Sequence, residues 1–180
     1  MLCNSANNGT STRRESSAAS DVYKGQKGDG APAICGNIEP ETGNLFVAKK
    51  HIFNVNPKLY KTAQEIDDDL SGNLNSKCKV VMAEFSKLGI KGVLQGDLMW
   101  TDDTETTKID GVSYITFQPN TIVYDVPVDS EIGKKIKASK IGIVWHTTYT
   151  GKTLQGMKAS FGADIRGLKK PSSVWMDDAT

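Results

Sequence analysis

A chain of 180 residues and 19.5 kDa is long enough for one domain with a sizeable core and barely long enough for two. Lys and Arg number 22 against 21 Asp and Glu, so the net charge of +1 excludes nucleic-acid binding through bulk charge and leaves room only for a local basic patch. The 38% hydrophobic and 24% charged content excludes a disordered chain, and no apolar run approaches the roughly 20 residues of a membrane helix. The start, Met1-Leu2-Cys3-Asn4-Ser5, lacks the apolar core of a signal peptide. Cys3, Cys35 and Cys78 form no CxxC pair and are odd in number. That argues against a disulfide framework or a structural zinc site and for a reducing, cytoplasmic compartment with no membrane partner.

Residues 1–20, rich in Asn, Ser, Thr and Arg, read as a disordered tail. A domain is expected over 21–165 and a polar C-terminal tail over 166–180. Lys24 to Gly30 is a charged, glycine-rich loop, and Ala31 to Gly36 is an apolar strand with Pro32 near its start. The Glu39–Asn44 turn cluster joins it to Leu45–Ala48, predicting an antiparallel hairpin. Thr62 and Glu65 have capping-box spacing for a short helix that ends by the Asp67-Asp68-Asp69 and Ser71-Gly72-Asn73 runs. Leu74, Cys78, Val81, Met82, Phe85 and Leu88 predict one helix with a single apolar stripe and Gly89 as its C-cap. Strands are predicted over Lys91–Trp100, Val112–Phe117, Thr121–Val126 and Lys140–Thr147, with a polar loop over Thr101–Thr107. Ser130 opens a last helix, Glu131 to about Ser139. After Gly151 the periodic signal weakens. Hairpins rather than strand–helix alternation make this an α+β fold with a largely antiparallel sheet and two or three helices.

Four features could carry chemistry. Lys27-Gly28-Asp29-Gly30 has the composition of a solvated turn. As a site it needs the Lys27 amine deprotonated, by desolvation or by a neighbouring cation such as Lys24. Asp29 would then orient the amine or a ligand, and Gly30 would let backbone approach a phosphate. Asp97, within an apolar strand, shares a face with Val93 and Gln95 and either meets solvent or has a partner. Phe117 and Tyr124 sit on strands, where rings usually fill cores; stacking on a purine is the sharper alternative. His51 and His146 are far apart and have no ligand-spaced partner. Lys134, Lys135, Lys137 and Lys140 read as a solvated helix face that could also touch phosphate.

Lys27-x-Asp29-Gly30 resembles the first motif, K-x-D-G, of the covalent nucleotidyltransferases: ATP-dependent DNA ligases, RNA ligases and mRNA capping enzymes. Phe46-Val47-Ala48-Lys49-Lys50 is similar to the strand that follows, Leu94-Gln95-Gly96-Asp97-Leu98 to the D-G-E motif, and Ile122-Val123-Tyr124-Asp125-Val126 to the next. Gly30-Ala31-Pro32-Ala33, Ile52-Phe53-Asn54, Thr116 to Thr121 and Gly142 to Thr147 also resemble a group of proteins from large tailed phages of marine bacteria, over about Lys27 to Phe161. The resemblance implies a ligase-like core in a phage protein acting in the bacterial cytoplasm. It implies that Lys27 forms a lysyl–adenylate from ATP with Mg2+, and that Asp29, Gly30 and Asp97 contact the nucleotide or a magnesium-bound water. Lys49 would neutralise phosphate, Phe117 or Tyr124 would stack on adenine, and DNA or RNA ends would accept the adenylyl group. Ile141 stands where the family's fourth motif has glutamate, and the fifth motif, K-x-K, has no convincing counterpart. The expected core is therefore truncated or degenerate. A non-catalytic phage protein that binds nucleotide or nucleic acid, and an accessory or structural phage protein, remain as alternatives.

Overall fold

The computed structural model describes residues 2–6, 12–15, 32–49, 52 and 56–179. These residues form an α+β fold with mostly antiparallel strands. The larger sheet contains β3 (Ala33–Ile38), β4 (Leu45–Lys49), β5 (Val93–Trp100), β9 (Ile141–Thr150), β10 (Lys158–Phe161) and β11 (Val174–Asp178), in the order β10-β9-β5-β3-β4. β10 and β11 share one edge of β9: β10 pairs antiparallel with residues 147–150 and β11 parallel with residues 141–145. The smaller sheet contains β1 (Leu2–Ala6), β2 (Thr12–Glu15), β6 (Glu105–Ile109), β7 (Val112–Phe117) and β8 (Ile122–Pro127), in the order β2-β1-β8-β7-β6.

Three helices complete the described elements: α1 (Ala63–Asp69), α2 (Gly72–Phe85) and α3 (Glu131–Ala138). The capping box of α1 closes in both directions, Glu65 N–H donating to Thr62 Oγ1 and Thr62 N–H to Glu65 Oε2. α2 starts two residues earlier than its apolar stripe predicts, and Leu74 is half exposed rather than part of the buried face. The helix itself stops at Phe85, and Gly89, at φ +65°, ends the turn that follows. No described helix is long and apolar enough to cross a membrane.

The larger sheet is buried on both faces. On one face, Val81, Phe85 and Leu88 of the α2 region pack on Ile34, Val47, Leu94, Leu98, Ile143 and Trp145. On the other, Met99, Trp100 and Val144 meet Ile115, Phe117, Tyr124 and Val126 of the smaller sheet, with Ile136 of α3. Further along that face Cys35, Phe46, Ala48 and Val93 pack with Leu154. β5 serves both faces by period-two alternation, as predicted for Asp97 and its neighbours.

Four expectations change. The tail expected over 1–20 contains β1 and β2, with β1 pairing against β8 (Cys3 opposite Asp125, Ala6 opposite Ile122). The loop expected over Thr101–Thr107 gives way to β6, an exposed edge strand whose hairpin to β7 turns on Asp110 (φ 50°) and Gly111 (φ 83°). The polar C-terminal tail expected over 166–180 contains β11, and the weak region after Gly151 contains β10. Main-chain pairing at a sheet edge needs no apolar alternation, so polar segments can supply the edge strands β2, β6, β10 and β11.

Gly36 lies under the ring of Phe85: a Cβ there would sit 1.9 and 2.0 Å from two ring carbons. Gly36→Ala is expected to cost about 1–3 kcal/mol by overpacking. Most of that cost should disappear in a Phe85→Leu background, read from urea unfolding midpoints; an equal cost in both backgrounds refutes the contact.

Glu84, buried on α2, holds the C-terminal segment to the helix. It accepts from Ser173 Oγ at 2.5 Å and pairs with Lys87 Nζ at 2.8 Å. Burial pushes its carboxyl up, but the bonds from Lys87 and Ser173 and the charges of Lys87 and Lys140 outweigh this and hold it below its ordinary 4.5. A folded value below the unfolded one adds stability that is complete above the ordinary carboxyl range and is lost as pH falls through the folded value. The melting-temperature gap between wild type and Glu84→Gln should therefore be widest above about pH 5 and shrink toward pH 3. A gap that stays constant across that range refutes it.

Candidate functional site

β5 is the central strand of the candidate site. On one side Ala33 of β3 stands opposite Asp97, and the Pro32 carbonyl accepts from Leu98 N–H at 3.1 Å. On the other side the β5–β9 register slips between Gln95 and Gly96: Gln95 pairs with Thr147 and Gly96 with Trp145, leaving His146 as the extra residue. Such a bulge redirects a side chain. Here it brings His146 Nε2 to 3.5 Å from Asp97 Oδ1, with the two side chains 20% and 15% exposed. His146 Nδ1 lies 2.7 Å from Thr147 Oγ1. Gly96 permits the approach: a Cβ there would meet the Val144 carbonyl at 2.7 Å and the Trp145 ring at 3.0 Å.

Asp97, His146, Thr147, Gln95 and Tyr149 make a half-buried polar strip on the face of the sheet away from α2. Tyr149 Oη donates to Gln95 Oε1 at 2.5 Å. The strip runs between the apolar cluster of Phe117 and Tyr124 and that of Phe46 and Leu154. Nearby Cys35 is no nucleophile at neutral pH, because burial pushes its thiol up to about 12. Burial likewise raises the Tyr149 hydroxyl, which stays a neutral donor. Among the described residues no three His, Cys, Asp or Glu side chains are grouped to hold a metal. Asp97 and His146 are a pair. One carboxylate still suits magnesium, which usually completes its shell with waters and substrate phosphates.

The other expected site residues divide three ways. Lys27, Asp29 and Gly30 lie outside the described residues, as do Lys24 and His51. Lys49 is exposed at the end of β4, on the Val47 side of the sheet, and its charge reaches Asp69 and Cys78 of α1 and α2. The sheet therefore stands between Lys49 and Asp97. Phe117 and Tyr124, cross-strand partners, stack on each other with centroids 5.3 Å apart and planes 9° from parallel. They are 5% and 1% exposed, and Phe117 also meets Trp100 at 4.6 Å. The ring faces proposed for adenine are used within the protein core. His146 is the residue that the sequence reading passed over. A bulge depends on register between distant strands, so ligand spacing along the chain gave no sign of it.

The family model for DUF6267, a family of unknown function, matches residues 4–180. The chain belongs to that family. No curated protein and no solved structure matches it. In this DUF6267 chain the rings and the polar strip should separate on mutation. Phe117→Ala is expected to cost about 3–5 kcal/mol, as removal of a core ring does. Asp97→Asn should cost less than about 1 kcal/mol, because it loses one long contact near solvent. Denaturant unfolding checks both, and a large loss for Asp97→Asn would make the acid a structural element.

Proposed function

We propose that the chain is an ATP-dependent nucleotidyltransferase of polynucleotide-ligase type, with Lys27 as the residue adenylylated. The observation that carries this reading is the pairing of β3 with β5. The K-x-D-G motif runs directly into β3, whose first residue, Ala33, stands opposite Asp97. Asp29 is four residues and Lys27 six residues before Ala33. At about 3.5 Å per residue, the backbone tether limits them to roughly 14 and 21 Å from that position. That bound on the distance between the first and third family motifs, set by covalent connection and the β3–β5 pairing, is what supports a shared site.

In the proposed reaction the neutral Lys27 amine attacks the α-phosphorus of ATP. A nitrogen–phosphorus bond forms, the bond from the α-phosphorus to the bridging oxygen breaks, and pyrophosphate leaves with the bridging oxygen. The amine gives up its proton to solvent. Asp97 would orient the ribose or hold a water of the magnesium ion, which when bound offsets polyphosphate charge. His146 would hold the Asp97 carboxylate in place. An oxygen of an acceptor 5′-phosphate at a DNA or RNA end would then attack the same phosphorus, forming a phosphoanhydride bond as the nitrogen–phosphorus bond breaks and the Lys27 amine leaves.

A second reading has its own support. Ile141, fully buried, begins β9 where the family's fourth motif carries glutamate, and Lys49 faces away from Asp97. Both favour a protein of this fold that binds nucleotide without transferring it.

Incubation with α-labelled ATP and magnesium distinguishes the readings. Label that survives denaturation, disappears in Lys27→Ala and falls by about 100-fold in Asp97→Asn is the expected result. Binding by calorimetry without covalent label gives the second reading, and neither label nor binding refutes both.

A further inference from the structure

We infer that the end of the molecule built from the turn after α2, helix α3 and the 166–173 segment is a binding surface for a nucleic-acid backbone. This inference is independent of the lysyl–adenylate reading, because it concerns where a polyanion lies and not what reacts. Residues 87–91, 134–140 and 166–173 together carry nine Lys and Arg and no Asp or Glu. Three of these cations are ion-paired with acids just outside the segments: Lys87 with Glu84, Lys135 with Glu131 and Arg166 with Asp164. The other six, Lys91, Lys134, Lys137, Lys140, Lys169 and Lys170, are exposed and have no ion pair among the described residues.

The fold brings residues 87–89 and 166–173 to the Lys140 end of α3; Lys91, which precedes the start of β5 opposite Tyr149, lies toward the other end of β9 and is not part of this group. Lys140 N–H donates to the Ser173 carbonyl at 2.7 Å, and Lys169 N–H donates to the Leu88 carbonyl at 2.9 Å. The Lys169 stem passes over Gly89, where a Cβ would lie 3.7 Å from it, and the charge of Lys140 reaches Glu84. Cations at helix C-termini offset the helix dipole, which accounts for Lys135 and Lys137 in the last turn of α3. It does not account for five unpaired lysines, Lys134, Lys137, Lys140, Lys169 and Lys170, drawn from two separate stretches. A chain with a net charge of only +1 has segregated its cations here, leaving the remainder net negative.

The side chains present also select the occupant. A membrane surface would need apolar anchors beside the lysines. The exposed large hydrophobics Leu74, Ile109, Val112 and Phe161 all lie outside the three segments. The segments contain no aromatic ring and no amide side chain, so they have nothing to stack on bases or read their edges. What remains is phosphate contact, which is sequence-independent and salt-sensitive.

The test uses the full chain and a fluorescent DNA single strand of about 20 bases. Four to six phosphate contacts predict an affinity that falls about 50- to 300-fold between roughly 50 and 200 mM salt and is indifferent to base sequence. The triple variant Lys137→Gln, Lys140→Gln, Lys170→Gln should flatten the log–log salt slope by about two. The control triple Lys108→Gln, Lys152→Gln, Lys158→Gln, exposed lysines elsewhere, should leave the slope unchanged. The inference is overturned if wild type does not bind at low salt or if both triples weaken binding equally. It is also overturned if the patch instead holds phosphatidylserine vesicles that excess DNA does not displace.

Discussion

Three aromatic rings lying on three glycines hold the central sheet together. Phe85 of α2 covers Gly36 on β3, Trp145 of β9 lies against Gly96 on β5, and Trp100 of β5 covers Gly142 on β9. Each glycine sits where a Cβ would fall within 3.0 Å of ring atoms, so each ring needs the missing side chain beneath it. Burying a large apolar side chain contributes about 1.5–3 kcal/mol. Here the same contacts also set the spacing between α2 and the sheet and between the two sheets. Trp145 and Phe85 touch on one face at 5.3 Å; Trp100 meets Phe117 and Trp175 on the other. β5 and β9 are thus held from both sides.

That clamping makes a polar strip tolerable in an otherwise apolar layer. β5 and β9 slip register twice, once at His146 and once at Met99. The second slip allows Leu98, Met99 and Trp100 to be buried in succession, Leu98 toward α2 and the next two toward the smaller sheet. The first turns His146 toward Asp97. Its carbonyl is not left unpaired, because Gly162 N–H donates to it at 2.7 Å, and Ala179 N–H serves Trp145 in the same way. The bulge therefore lies where β10 ends and β11 ends along the edge of β9, the one stretch where two short strands can share its main-chain groups.

What could be read in the sequence followed from local chemistry. The α1 capping box, the β3–β4 hairpin, the parity of Asp97 and the N-cap at Ser130 each depend on residues within a few positions of one another. Edge strands were harder to read. β6 is exposed along its whole length and β10 likewise, so neither has an alternating pattern. Asp-Gly between two strand-forming runs is a hairpin signal, and the Asp110-Gly111 pair carries it for β6 and β7 where the polar residues before it suggest only a loop. Parity alone could have separated Lys49 from the candidate site, since Lys49 falls on the Val47 face of β4 and Ala48 on the other. The family resemblance placed these residues in a common site; strand alternation put them on opposite sides of the sheet.

Charge needed the fold more than any other property did. Along the chain the lysines of 87–89, 134–140 and 166–173 look like three unrelated solvated stretches, and the sum over the molecule is close to zero. Ser173 and Leu88 join the stretches by main-chain hydrogen bonds, which composition cannot reveal. Glu84 belongs to the same arrangement. Its buried carboxylate is ion-paired with Lys87 and accepts a hydrogen bond from Ser173, so it holds the segments together while its charge is offset mainly by Lys87. Solvent screens interactions beyond about 8 Å at physiological salt. Cations spread evenly over a nearly neutral molecule would therefore attract a polyanion little, whereas the same cations gathered at one end retain a local field. A net charge of +1 thus limits how strongly the whole protein attracts nucleic acid, but it does not limit what one face can hold.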